Sequence, residues 1–225
     1  MIARTKAAKV ESKEPLSAER IEQAALALIE DEGIAAFSTR KLATKLGCEA
    51  MSIYHYFPSK GHLMDALVDR VMGSEMSVLI PGERPWREAV ELSAREWRAM
   101  ALKRPHFFGY LALHRLNTPT ALRWLNGVIG VFGDLGAGEE TAARLFRALG
   151  YYMTGAMMDE TAGYARGAST VDPVPDDVMA KQYPAVVKAG RWFATSEHEK
   201  TFWGGLKVFL DGIERDVKAR PARKG

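Results

Sequence analysis

The chain has 225 residues, 47 % of them apolar, with 31 Lys plus Arg against 28 Asp plus Glu and a formal net charge of +3. That length accommodates one or two domains, and that apolar fraction supplies a core and excludes general disorder. The lone cysteine, Cys48, excludes an intrachain disulfide and a cysteine-based metal cluster, and no stretch approaches the ~20 apolar residues of a membrane span. The opening MIARTKAAKVESKE carries charge without an apolar run, so it does not read as a secretory signal, and the expected location is cytoplasmic. Residues 1–16 read as a flexible basic arm. Arg4, Lys6, Lys9 and Lys13 at the front, like Lys218, Arg220, Arg223 and Lys224 at the back, are solvated tails, or in the front arm nonspecific phosphate contacts.

Strand-like alternation is nearly absent and no repeat occurs, so the expected fold is all-α. Ser17 is a good N-cap, and Ile21, Ala24, Ala25, Leu28 and Ile29 form one helix face that ends at Gly33. Ser38 caps a second helix. A third is expected over Ala50 to Phe57 and a fourth from near Ser59, with Leu63, Ala66, Leu67 and Val71 apolar. Pro81-Gly82 breaks the pattern. Pro85 opens a fifth helix with Trp86, Val90, Trp97 and Leu102, interrupted at Lys103-Arg104-Pro105. Thr118-Pro119 is a cap followed by a first-turn proline, and that helix runs to near Gly133. Long helices are expected over 139–162 and 197–217, the second opened by a capping box at Ser196-Glu197-His198-Glu199. A Gly- and Pro-rich loop, about Gly163 to Pro175, lies between them. The expected domains are 1–72 and 73–225.

The segment STRKLATKLGCEAMSIYHYFPSK, Ser38 to Lys60, carries the most information. Leu42, Ala43 and Leu46 share one helix face, and Gly47 stands where the chain must reverse. The next helix has Ile53, Tyr54 and Phe57 on its apolar side, with Ala50, Met51, Ser52, His55 and Tyr56 on the other. This is the layout of a helix-turn-helix, whose second helix lies in the major groove. Arg40, Lys41, Lys45 and Lys60 surround it against one nearby acid, Glu49, a basic surface of the kind phosphates require.

The run TRKLATKLG, the cluster IYHYF and the following PSK resemble the DNA-binding domain of the TetR family of transcriptional regulators, most closely the tetracycline-repressor branch. The resemblance is strong over about Ser17 to Val71. It continues weakly through YPAVVKAG and FWGGLKVFLDGIE. It implies a DNA-facing set of Thr39, Arg40, Lys41, Ala50, Met51, Ser52, Tyr54, His55, Tyr56 and Lys60. Arg40 is then a guanine reader or a phosphate contact, since its planar fork fits guanine O6 and N7. Tyr54 and Lys60 are the implied phosphate clamps, and His55 faces groove or backbone. Ala50 stands where related proteins often carry a polar reader; with Met51 it can touch a thymine methyl, while Ser52 can bond several bases. Cys48 reads as a small apolar turn residue.

The back half is rich in Trp, Phe and Met, with His106, His114 and Asn117 among them. Two readings stand: a ligand cavity with apolar walls and few polar anchors, or ordinary core and dimer packing. The candidate lining residues are Trp97, Met100, His106, Phe107, His114, Tyr151, Met153 and Met157. Phosphate-loop, G-x-S-x-G and H-E-x-x-H motifs are missing, and the adjacent Asp159 and Glu160 diverge on a helix, so no catalytic residue, metal or cofactor is assigned. The resemblance implies a homodimeric, ligand-responsive transcription factor, usually a repressor. Its expected partners are a near-palindromic double-stranded operator and a mostly apolar small-molecule effector, with no membrane. A ligand-independent DNA-binding dimer, constitutive or governed by a protein partner, is the alternative.

Overall fold

Ser17 and Ser38 open the first two helices as their side chains predict. The computed structural model describes residues 15–114, 116–136, 138–162 and 171–219. In helix α1 (Ala18–Glu32) the Ser17 hydroxyl accepts the Arg20 N–H at 3.2 Å. Burial falls on Ile21, Ala25, Leu26, Leu28 and Ile29, so Leu26 takes the place expected of Ala24. In α2 (Thr39–Leu46) the Ser38 hydroxyl accepts the Lys41 N–H at 3.3 Å. The turn after it depends on Gly47, at φ 66° and ψ 38°. The Gly47 and Cys48 N–H groups bond back to the carbonyls of Thr44 and Ala43, closing the helix end through a left-handed residue. A side chain at that position is strained, which is why glycine stands there.

Helix α3 is only Ala50–Tyr54, shorter than the expected run to Phe57. The Phe57 N–H still reaches the Ile53 carbonyl at 2.9 Å, but Pro58 follows, and a residue preceding proline is pushed out of the helical region. Helix α4 (Lys60–Glu75) begins where the Ser59 hydroxyl accepts the His62 N–H at 3.3 Å.

The chain divides into two compact units, Met1–Met64 and Asp65–Gly225, so the division falls within α4 rather than after residue 72. The reason is visible in the second unit. The Asp69 carboxylate accepts the Thr120 N–H at 2.8 Å, and His114 lies 2.9 Å from Asp65, so the later turns of α4 are bonded to the helices that follow.

The second unit continues with α5 (Trp86–Lys103), α6 (Pro105–Leu113), α7 (Pro119–Gly133) and α8 (Glu139–Ala162). Then come α9 (Asp176–Gln182), α10 (Pro184–Ala189) and α11 (His198–Ala219). Helix α8 is the hub, packed against α5, α6, α7 and α11. Arg98 of α5 holds Glu160 of α8 through two hydrogen bonds of 3.0 and 2.6 Å. The Tyr152 hydroxyl donates to the Phe202 carbonyl at 2.5 Å, joining α8 to α11. Helix α7 receives the segment before α5 on two glycines. A Cβ at Gly127 would fall on the Leu79 carbonyl oxygen, and one at Gly130 would lie 2.5 Å from Pro81 Cγ.

The sequence pattern does not predict α9 and α10, which bury no residue. Ser196 sits in a short 3-10 turn, Thr195–Glu197, ahead of α11. Of the Gly- and Pro-rich stretch, residues 163–170 lie outside those described, as do 1–14 and 220–225 of the basic tails. Among the described residues, no helix is long and apolar enough to cross a membrane.

Candidate nucleic-acid interface and apolar cavity

In the first unit the apolar side of α2 and α3 is buried: Leu42, Ala43, Leu46, Ile53 and Phe57 are each at most 8 % exposed. The opposite side is open. Met51 is 65 % exposed, Tyr56 44 % and Tyr54 36 %, and Arg40 and His55 are exposed beside them. Thr39, Ala50 and Ser52 are half-buried at the helix starts. Tyr54 Oη lies 3.1 Å from Thr39 Oγ1, so the end of α3 is tied to the start of α2 and the two helices present a fixed face. The Tyr56 hydroxyl donates to the Leu16 carbonyl at 2.7 Å and anchors the chain before α1.

The basic surface is narrower than the sequence implies. Lys41 Nζ meets Glu32 at 2.5 Å and Lys45 Nζ meets Asp31 at 3.1 Å, both acids from the end of α1. Lys60 Nζ donates to the Phe37 carbonyl at 3.2 Å and lies 5.2 Å from the Phe37 ring centroid. These lysines are therefore structural partners within the unit as well as cations. The counting of one nearby acid misses Glu32 and Asp31, which only the α1–α2 packing brings close.

In the second unit, α5, α7 and α8 and the end of α6 line a partly open apolar cavity of about 130 Å³. Of the residues expected to line it, Trp97, His114 and Met153 do so. Met100 and Phe107 are packed into the core at 2 % and 0 % exposed, away from its wall. Tyr151 is 69 % exposed and His106 is exposed, so neither faces it. Met157 lines a separate cleft with Tyr152, Glu160 and His198, between α8 and α11. The other lining residues lie outside the candidate set, Trp124, Phe146 and Ser93 among them. Trp124 stacks on Trp97 with centroids 5.6 Å apart at 16°, and Ser93 is a buried hydroxyl in the apolar stripe of α5. A serine between Val90, Ala94 and Trp97 is the sequence signal that marks the site.

His114 is held at the cavity's edge by Asp65, with Nε2 2.9 Å from Oδ1. Below it, burial alone would raise the Asp69 pKa. The Thr120 N–H, the Thr118 and Thr120 hydroxyls and the Arg123 charge outweigh burial and hold it below the ordinary aspartate value. The start of α7, which carries Trp124, is thus fastened to α4 through an ionised carboxylate.

A short helix reversed through a left-handed glycine, with its bared side following directly, is built to enter the major groove. The first unit is therefore a helix-turn-helix DNA-binding domain, and the protein is a DNA-binding regulator whose chain continues into a separate helical unit. The family model described as bacterial regulatory proteins, tetR family, matches residues 21–67, and that described as tetracyclin repressor-like, C-terminal domain, matches residues 80–217. The chain belongs to the TetR family of bacterial regulatory proteins. It is 32 % identical to the tetracycline repressor protein class D of Escherichia coli over 208 residues, 91 % of this chain and 92 % of that one. It is 26 % identical to the HTH-type transcriptional repressor DrrR1 of Streptomyces coeruleorubidus, over 92 % of this chain and 81 % of that one. Among solved structures, a "possible TetR family transcriptional regulator" from Streptomyces coelicolor A3(2) superposes with a TM-score of 0.74 at 25 % identity, covering 88 % of this chain and 99 % of that one.

Proposed function

We propose that this protein is a homodimeric transcriptional repressor that leaves a near-palindromic operator when a mostly apolar small molecule occupies the cavity of its second unit. The observation that carries this reading is His114, which lines the cavity and is bonded to Asp65 of α4, the helix whose first turns belong to the DNA-binding unit. An occupant that moves His114 pulls on α4. Effector and operator then oppose one another by one shared factor, as linkage requires. Repression is supported by relatives that are themselves named repressors. Dimerisation is supported by large apolar side chains left exposed on α8 and α11, Tyr151 at 69 % and Val208 at 68 %.

Arg40, Ala50, Met51 and Ser52 supply base contacts in this reading, and Tyr54 and Lys60 hold phosphates. The test is operator binding by fluorescence anisotropy, with and without effector, on DNA from the protein's own promoter region. Arg40→Ala should cost about 1–3 kcal/mol and relax preference at one base pair. Lys60→Ala should weaken specific and nonspecific duplex alike and lower the salt slope by about one. Sedimentation as a monomer at micromolar concentration, with DNA bound as a monomer, would defeat the dimeric reading. Operator affinity that no compound in a broad screen alters would favour the ligand-independent alternative.

A further inference from the structure

Burial divides the lining of the apolar cavity into a floor and a mouth. Trp97, Trp124, Val128, Leu149 and Met153 are buried and form the floor. Ala112, His114 and Leu116, at and just past the end of α6, are half-buried. So are Phe146, Gly150 and Thr154, which stand four residues apart and make one edge of α8. The cavity therefore opens between the end of α6 and this edge of α8.

Gly150 sits in the middle of that edge with no structural reason to be glycine. It is in a helix interior, where glycine is less favourable than alanine. It has no positive φ, and an added Cβ would meet nothing within 4 Å. Gly127 and Gly130 of α7, by contrast, are needed for the close approach of Leu79 and Pro81. What the missing side chain leaves at position 150 is open space on the rim of the cavity, between Phe146 and Thr154.

The walls limit what can pass that rim. About 130 Å³ is close to the roughly 150 Å³ of an apolar cavity that holds one benzene ring. It falls well below the ~300–1,000 Å³ of pockets that take drug-sized molecules. Trp97 and Trp124 are stacked, and Phe146 meets Trp124 edge-on, so the walls offer aromatic surface to a ring. Among the described residues, no Asp, Glu, Lys or Arg lines the cavity, so an ion would lose its water there without gaining a partner of opposite charge.

We infer that the cavity admits an uncharged compound of one aromatic ring, which enters past Gly150, and that a large side chain at position 150 shuts it out. This rests on the proposed function only in taking the cavity for the ligand site; it adds the size class of the ligand and the residue that controls its entry.

The test is equilibrium dialysis of the full-length protein against p-cresol, 9-phenanthrol and 4-methylbenzoate. The first two are neutral phenols of one and three rings, and the third is a one-ring anion. p-Cresol should bind at one site per chain, at least about tenfold tighter than either of the others, because overfilling a packed site and desolvating a charge both cost more than that factor. Gly150→Leu should weaken p-cresol at least about tenfold by filling the mouth, with a thermal midpoint no lower than the parent's. Thr154→Phe, one turn along the same edge, should weaken it in the same direction, so the inference does not hang on one substitution folding well. Binding of 9-phenanthrol or 4-methylbenzoate as tight as that of p-cresol would overturn it. So would parental p-cresol affinity in the two folded variants, or no p-cresol binding at millimolar concentration. Operator affinity measured in parallel separates the two readings. p-Cresol binding that Gly150→Leu abolishes, without an effect on DNA, keeps the entry route and defeats the sensing role. An effect on DNA from a compound whose binding neither variant alters keeps the sensing role and defeats the entry route.

Discussion

His114, which lines the apolar cavity, is bonded to Asp65 of α4. Nε2 lies 2.9 Å from Oδ1, the imidazole side chain is 12 % exposed, and the carboxylate is 54 % exposed. The ring thus has a solvent-exposed carboxylate as its neighbour while its own Nδ1 is fully buried. Because Asp65 is half in solvent, its pairing adds little to stability, and its loss should be felt in communication rather than folding.

Asp65→Ala should therefore leave operator affinity without effector within about twofold, and reduce the effector's influence on that affinity by about 0.5–2 kcal/mol of coupling. Paired anisotropy titrations at fixed salt measure both quantities. A variant that keeps the full response would place the route elsewhere in the second unit.

Arg98 and Glu160 behave in the opposite way. Their side chains are only 15 % and 11 % exposed, and they share two hydrogen bonds of 3.0 and 2.6 Å. Removing Glu160 leaves Arg98 only the exposed Glu199, 3.6 Å away, so Glu160→Gln should cost about 2–4 kcal/mol in urea unfolding. The double replacement of Arg98 and Glu160 by Met should recover most of that loss, because the pair's own desolvation disappears with it.

Gly127→Ala sets two effects against each other. Alanine gains about 1 kcal/mol over glycine in a helix interior, but its Cβ would fall on the Leu79 carbonyl oxygen, which is backbone and cannot rotate away. The clash should win, giving a net loss of about 1–3 kcal/mol. Gly109→Ala, where nothing lies within 4 Å of the added atom, should instead stabilise by about 0.5–1 kcal/mol. Thermal midpoints of the two variants should move in opposite directions.

Asp69 makes stability depend on acid. Its folded pKa lies below the ordinary value, so its contribution is complete above the unfolded pKa, about 4, and is lost as pH falls through the folded one. Thermal midpoints taken from pH 6 downward should fall less steeply below about pH 4 in Asp69→Asn than in the parent. Equal slopes would mean that the carboxylate's bonds to Thr118 and Thr120 do not distinguish the folded state.

Much of this was legible in the sequence where one residue decides one local outcome. Ser17, Ser38 and Thr118 mark helix starts because a hydroxyl beside its own first turn needs no distant partner. Gly47 marks the turn for the same reason. The apolar spacing of Ile53 and Phe57 continues past Tyr54 and so predicts a longer α3, while Pro58 acts on the residue before it and ends the helix sooner. Helices α9 and α10 carry no such mark because they bury nothing, and hydrophobic periodicity exists only where a face is buried. The cavity was legible as a surplus of Trp, Phe and Met but not as a set of residues. Spacing cannot tell Met153, on its wall, from Met157, one turn further along α8. Nor can it show that Lys41 and Lys45 spend their charge on Glu32 and Asp31, which are neighbours only after folding.

The hydrogen bond from Tyr56 to the Leu16 carbonyl has a practical consequence. It joins the residue ahead of α1 to the residue just past α3, so the entry to the first helix and the exit from the third brace one another. Tyr56→Phe deletes that brace and keeps the ring, which makes it the variant that separates the domain's rigidity from its surface chemistry.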